Sequence, residues 1–418
     1  MEDRQQGARQ ACAAVRIRLT SQEWQGIKWE HWLSVLIPAE VDTRSRAVLA
    51  IGGGSNRDEP VKSNSREAML MATMASQARL PLVILEQVPN QPLFGDLKED
   101  DLIAHTFDKF LKGEGDDWPL LLPMVKSAVR AMDAIQQAGP DLNLDIKEFV
   151  VTGASKRGWT TWLTGASDPR AIGIAPMVID VLNMGEQMHR QLATYGKFSR
   201  MIEPYTKRGV QERMHSPSGK VLREIVDPFN YIGRIDQPKL IFLGSNDPYW
   251  TADAASLYYG DLVGDKAICY VPNAGHGLGP QAISPAVAFF RSIALDKPLP
   301  KISWERPAPG EVTVKWEAEG AKATVWQATS PNRDFREANW VQTELVGTNK
   351  ATAKVAPPAD GSYVGFYAQV DFPGNPADPK APPFFLCTDL RILPDTFPHE
   401  DLVKALHEKY KAESNASE

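Results

Sequence analysis

Phe149-Val150-Val151-Thr152-Gly153-Ala154-Ser155-Lys156-Arg157-Gly158-Trp159 is an apolar strand that enters a turn tipped by Ser155, after which a helix starts at once. At such an elbow the hydroxyl is forced into an exposed, strained position above the sheet. The helix N-terminus behind it supplies free N–H groups and a partial positive charge. Gly153 and Gly158 let helix and strand approach closely. In the usual elbow the second glycine comes two residues after the serine; here it comes three after.

Serine is a weak nucleophile at neutral pH and needs an imidazole to take its proton, with a carboxylate to fix the imidazole's tautomer. Both partners follow in the chain. The strand Leu240–Leu243 ends in Gly244-Ser245-Asn246-Asp247-Pro248, and the strand Ala267–Val271 leads to Asn273-Ala274-Gly275-His276-Gly277. Ser155, Asp247, His276 is the order of the α/β-hydrolases, each residue following a separate core strand. Asp180, after Met177-Val178-Ile179, is the second candidate acid. The oxyanion needs preorganised donors: the N–H of Lys156 is one, and Gly53 and Gly54, in the glycine run after the strand Ala47–Ile51, are expected to supply the other. No Gly-Lys-Ser/Thr follows that run, so a phosphate cradle is disfavoured. The Lys156 and Arg157 side chains are either solvated or add positive charge that would suit an acidic substrate group. Gln87, Trp159, Asn183 and Trp250 are the candidate substrate-binding residues. Trp159 shares a helix face with Trp162, where core packing competes with substrate stacking.

At 418 residues the chain exceeds one ordinary core. Continuous apolar strands alternating with helices from Val15 to about 300 imply a mainly parallel sheet covered on both faces. A hairpin (Val15, Ile17, Leu19, then Trp32–Ile37) opens it, and a helix follows from Asn64, which has capping-box spacing with Glu67. The stretch 184–234 breaks the rhythm and reads as a lid. From 301 to 395 short alternating strands suggest a β-sandwich of immunoglobulin or fibronectin type, with Trp304, Trp316, Trp326 and Trp340 mostly in its core. Residues 396–418 end in a helix, and residues 1–14 are expected to fray. Lys+Arg 46 against Asp+Glu 52 gives −6 without a basic block, which disfavours nucleic acid. No window reaches the ~20 apolar residues of a membrane span. Cys12, Cys269 and Cys387 are widely spaced, and the other histidines lack ligand spacing; neither a disulfide framework, a metal nor a cofactor is implied. The polar start, Met1 to Gln10, is expected to carry no secretory signal, which leaves a cytoplasmic protein or one whose leader is missing from this version of the sequence.

Gly153-Ala154-Ser155-Lys156-Arg157-Gly158-Trp159-Thr160-Thr161-Trp162, with Asp168-Pro169-Arg170, Asp180-Val181-Leu182-Asn183, Gly244-Ser245-Asn246-Asp247 and Gln87-Val88-Pro89-Asn90-Gln91-Pro92, resembles the PhoPQ-activated pathogenicity-related protein family. The resemblance covers roughly Leu19 to Ile392. It implies an α/β-hydrolase domain with a β-sandwich behind it, and export to the periplasm or beyond, although the family's leader and extra N-terminal segment are not recognisable here. A more distant similarity to glucuronoyl esterases, which also place a basic residue just after the nucleophile, makes an acidic-sugar ester conceivable. The expectation is a serine hydrolase acting on a small-molecule or glycan-linked ester, with Ser155, Asp247 and His276 catalytic. The alternatives are a serine peptidase of the same fold and a non-catalytic binding protein.

Overall fold

The computed structural model describes residues 12–59 and 65–415. Strands β1 (Cys12–Trp24) and β2 (Ile27–Pro38) form the expected hairpin, closed by Gln25 and Gly26, both at positive φ, as a two-residue turn matching strand twist requires. Cys12, Ala13 and Ala14, expected to fray, are paired in β1; residues 1–11 lie outside the described set.

The central sheet continues with β3 (Arg46–Ile51), β4 (Leu82–Leu85), β5 (Glu148–Ala154), β6 (Ala171–Met177), β7 (Lys239–Gly244) and β8 (Lys266–Val271). Their spatial order is β1-β2-β4-β3-β5-β6-β7-β8, with β4 antiparallel to β2 and every later pair parallel. Alternate residues feed opposite faces, as the pleat dictates. Ala47, Leu49 and Val151 pack with α3 (Leu121–Ala138) and α4 (Lys156–Ser167), whereas Val48 and Val150 pack with α1 (Arg66–Ala78) and α7 (Ile283–Ala294). Asn64 falls outside the described residues; the cap of α1 is Ser65, whose hydroxyl accepts the Ala68 N–H. Helix α2 (Glu99–Leu111) was not expected. Its buried Leu102, Ile103, Phe107 and Phe110 do follow the helical period behind three acidic residues.

Between β6 and β7 the lid carries α5 (Met184–Tyr195), single helical turns at Glu203–Thr206 and Val210–Arg213, and α6 (Pro217–Val226). The order of strands, the crossing helices and the insertion after β6 make this an α/β-hydrolase fold with a lid, followed by a small all-β sandwich. In the sandwich, β9 (Ile302–Glu305), β10 (Glu311–Trp316) and β13 (Lys350–Lys354) form one sheet. They pack on β11 (Lys322–Ser330), β12 (Val341–Leu345), β14 (Tyr363–Phe372) and β15 (Phe384–Cys387), with Val312, Val314 and Trp316 against Val325 and Phe366. The stretch Phe384–Ile392, which reads as one strand, breaks at Thr388–Leu390, and β16 (Arg391–Leu393) is a separate strand beside β14. The second unit is not merely appended. β15 bonds to the outer edge of β8, at Cys387 and Ile268, so the main sheet runs to 13 strands and β8 has no free edge. Helix α8 (Glu400–Asn415) returns to the lid, where the His399 N–H donates to the Ala193 carbonyl. Among the described residues no helix is long and apolar enough to cross a membrane.

Arg291 joins the two units. It is fully buried on α7, bonds Asp378 through Nε (2.6 Å) and Nη2 (3.0 Å), and reaches the Ala78 carbonyl and Asp42. Removing one partner of a buried pair strands the other charge, so Arg291→Ala is expected to lower stability by about 3–5 kcal/mol in urea denaturation. A loss below about 1 kcal/mol would contradict this.

Candidate functional site

Ser155 sits at φ 58, ψ −127, the strained conformation that lifts a side chain out of the sheet, and its N–H is anchored to the Met177 carbonyl (2.8 Å). The two glycines are sterically obligatory. A Cβ on Gly153 would lie 2.7 Å from the Arg157 carbonyl oxygen, and one on Gly158 would lie 2.7 Å from Ile179 Cγ2 and 2.8 Å from the Met177 carbonyl oxygen. The Lys156 N–H, at the first position of α4, has no acceptor within the helix.

His276 Nδ1 lies 2.9 Å from Asp247 Oδ2, and Asp247 Oδ1 accepts the Tyr249 N–H at 2.9 Å. His276 Nε2 has no hydrogen-bond partner and is shielded from solvent. The imidazole's carboxylate partner is Asp247 and not Asp180, whose Oδ1 accepts the Tyr258 hydroxyl at 2.6 Å. Complete burial pushes the Asp180 carboxyl up to about 7, against the lowering effect of that hydrogen bond. Tyr249 covers the other side of the imidazole, ring centroids 4.3 Å apart, and its hydroxyl reaches Asp100.

The loops bearing Asp247 and His276 are fastened to each other and to the sandwich. Asn273 N–H donates to Ser245 Oγ, Asn246 N–H to the Ala274 carbonyl, and a Cβ on Gly244 would come within 2.5 Å of two carbonyl oxygens of the other loop. From the sandwich, segment 335–340 receives both asparagines. Asn246 Nδ2 donates to the Ala338 carbonyl (2.7 Å), while Asn273 pairs with both N–H and C=O of Trp340 (2.7 and 2.9 Å).

Ser155, Lys156 and His276 line one cavity of about 280 Å³, together with Trp159 and Trp250. Trp162 is core, while Trp159 also donates to the Val226 carbonyl beneath the lid. Two expected substrate-binding residues belong elsewhere. The Gln87 amide is buried and donates to the Ser55 and Asp58 carbonyls, bracing the glycine loop. Asn183 starts α5 at positive φ, with its Nδ2 on the Leu257 carbonyl. Neither lines the cavity. Gly53 and Gly54 also stand outside the cavity wall. A Cβ on Gly53 would strike Arg157 Nη2 at 2.7 Å, so this glycine accommodates the guanidinium two residues beyond Ser155, and Gly54 (φ 120) abuts Gln87.

The basic pair after Ser155 is neither solvated nor free. Lys156 Nζ is buried against Glu99 (2.8 Å) and Asp100 (3.4 Å), and Arg157 binds Glu99 with both terminal nitrogens (2.8 and 2.6 Å). Burial raises the Glu99 carboxyl, but Arg157 and Lys156 overcome it and hold it down at about 2. Both cations are therefore already matched by α2. Much of the remaining wall comes from the lid, but part of it was illegible in the sequence, because it comes from Asp100 on α2 and from Leu406 and Tyr410 on α8.

The model of the PhoPQ-activated pathogenicity-related proteins matches residues 2–336. The chain belongs to that family. It is 34% identical over 347 residues to autocrine proliferation repressor protein A of Dictyostelium discoideum, covering 77% of this chain and 70% of that one. Among solved structures it is similar to the acylaminoacyl peptidase of Pyrococcus horikoshii (12% identity, TM-score 0.46, 68% of this chain). It spans only 42% of that peptidase's length. An esterase of Rhizomucor miehei is likewise similar (14%, TM-score 0.43, 71% of this chain and 89% of that one). The family match ends within the segment that receives Asn246 and Asn273.

Two stability predictions follow from this geometry for the family member. Asn273→Ala leaves the Trp340 backbone groups unpaired, at an expected cost of about 1–3 kcal/mol by urea denaturation; an unchanged midpoint would show that the clamp is dispensable. Asp180 titrates higher in the folded chain than in the unfolded one, so its contribution is fully present below about pH 4 and declines as pH rises through 7. Asp180→Asn should abolish that decline, raising Tm relative to the native chain more at pH 8 than at pH 5. Parallel Tm curves for the two chains would refute the assignment.

Proposed function

We propose that this chain is a serine hydrolase of acyl-enzyme type, and specifically a carboxylic ester hydrolase. The observation that carries the reading is the 2.9 Å contact of His276 Nδ1 with Asp247, beside a cavity lined by both His276 and the elbow serine. Ser155 Oγ attacks the ester carbonyl carbon while His276 Nε2 takes its proton; Asp247 holds the Nδ1–H and stabilises the imidazolium. The oxyanion is received by the Lys156 N–H, the amide left free at the helix start; Gly53 and Gly54, expected to supply a second donor, stand outside the wall of this cavity. The imidazolium then protonates the departing alcohol. Water, activated by the same imidazole, splits the acyl-enzyme and restores Ser155. Trp159 and Trp250 wall the substrate.

Peptidase activity uses the same residues but must expel an amine. Turnover of p-nitrophenyl butanoate without turnover of peptide p-nitroanilides separates the two. The relative named as a proliferation repressor gives weight to a binding protein on the same scaffold, in which Ser155 would be dispensable. Ser155→Ala and Asp247→Asn should each lower kcat/KM on the butanoate by about 10³-fold or more with little change in Tm, whereas Asp180→Asn should retain most activity. Ester turnover that survives Ser155→Ala would exclude this mechanism.

A further inference from the structure

The cations next to Ser155 are spent: Lys156 and Arg157 are both engaged by Glu99, and Lys156 also by Asp100. The uncommitted cation of the cavity lies in the lid. Arg223, on α6, lines the wall and forms no ion pair among the described residues; its Nε is shielded from solvent and bonds nothing. Gly185, at the start of α5, leaves it room, since a Cβ there would come within 3.1 Å of Arg223 Nη1. Glu212, the other acid of the wall besides Asp100, is exposed.

More buried polar atoms around the same cavity stand without partners. Trp250 Nε1 and Gln211 Oε1 bond nothing, on side chains of residues only 7% and 8% exposed. Gln211 Nε2 is fixed on Thr206 Oγ1, which leaves its oxygen over. Neither ring nitrogen of His189, a residue 9% exposed, makes a hydrogen bond, Nδ1 coming only to 3.5 Å from Glu186. Such groups are costly to bury unmatched, and several around one hollow mark where a ligand's polar atoms go. Water can serve them in the free protein, but a substrate that displaced it with methylene groups would forfeit those bonds. Donors dominate the set: Arg223 Nε–H, Trp250 Nε1–H and one His189 N–H, against the Gln211 oxygen and the second His189 nitrogen. The field agrees in sign. Burial, aided by the positive charge of His189, Arg223, His407 and Lys220, lowers the His215 imidazole of the same wall to about 4. A place that resists one more positive charge favours a negative one.

Resting on the serine-hydrolase reading above, we propose that the substrate is an ester with an anionic acyl group, whose carboxylate, remote from the scissile bond, lies under the lid on Arg223. A guanidinium offers a two-pronged face that a carboxylate matches. The other donors of the wall serve the polar atoms of the same acyl group, and Gln211 Oε1 accepts from a hydroxyl, an N–H or a retained water. The acyl group belongs there, and the alcohol does not, because it alone stays on the enzyme through both half-reactions, so its contacts assist each.

The test is the kcat/KM of the native chain at neutral pH on the p-nitrophenyl hemiesters of adipic and suberic acid, against p-nitrophenyl hexanoate and octanoate, their neutral counterparts of equal length. At one length or both the hemiester should be better by about tenfold or more, which is what one buried charge-assisted hydrogen bond supplies. Arg223→Gln should bring the ratio of hemiester to neutral ester down to parity or below, mainly through KM. Arg223→Lys, which keeps the charge, should keep part of the preference. Lys220→Gln, which changes an exposed lysine of the same helix, should leave the ratio at the native value. Hemiesters that lack the advantage at both lengths, with a fluorophosphonate mapped to Ser155, overturn the anionic substrate and leave the hydrolase reading standing. A ratio unmoved in folded Arg223→Gln, or one that falls as far in Lys220→Gln, overturns the assignment of the carboxylate to Arg223 and with it the proposal. Failure of both labelling and ester turnover in folded native protein overturns the hydrolase reading and this inference together.

Discussion

The whole site depends on how closely α4 approaches β5 and β6. Because Gly153 and Gly158 carry no Cβ, only Ser155 separates the last residue of β5, Ala154, from the first of α4, Lys156, and the chain turns there through the strained backbone of Ser155. That strain costs of order 1–3 kcal/mol and persists only where the surroundings over-determine it. Here the Met177 carbonyl holds the Ser155 N–H, and β5 is paired on both sides. The same close approach aims the start of α4, with its unpaired amides, at the position above Ser155. A larger residue at either glycine would move Ser155 and the Lys156 N–H together.

The other half of the site is held from the opposite direction. Asp247 and His276 sit on loops at the ends of β7 and β8, and loops of this kind are ordinarily the mobile parts of an α/β sheet. Here each is pinned by an asparagine to the 335–340 segment of the sandwich, while β15 seals the edge of β8. The sandwich is thus part of the scaffold that fixes the distance between Asp247 and His276. On the near side, α2 plays the matching role: Glu99 gathers Lys156 and Arg157 and so neutralises the helix start. The charges beside Ser155 serve the fold before they serve any ligand.

Much of this was legible because it is local. The hairpin, the parallel strands, the elbow with its two required glycines and the Ser–Asp–His order are all written in short stretches with strong physical signatures. What was not legible depends on tertiary contact. Nothing near Lys156 in the chain announces Glu99, and the sequence therefore left two cations apparently free. Gln87 and Asn183 follow strand ends, which made them look like ligand contacts; the structure spends them on backbone carbonyls and a helix start. The joining of β15 to β8 and the return of α8 to the lid link segments more than a hundred residues apart, beyond the reach of any periodicity argument. Helix α2 is the exception: its period was present and went unread between two polar stretches.

The central claim is that the imidazole of His276, held by Asp247, activates the hydroxyl of Ser155. The rate at which a fluorophosphonate modifies Ser155, followed across pH in the native chain and in His276→Ala, measures that activation without any assumption about substrate. The account predicts a native rate that climbs with deprotonation of a single imidazole and a variant rate lower by at least a hundredfold with no such inflection. Equal rates in the two proteins, or modification of another residue in place of Ser155, would contradict it.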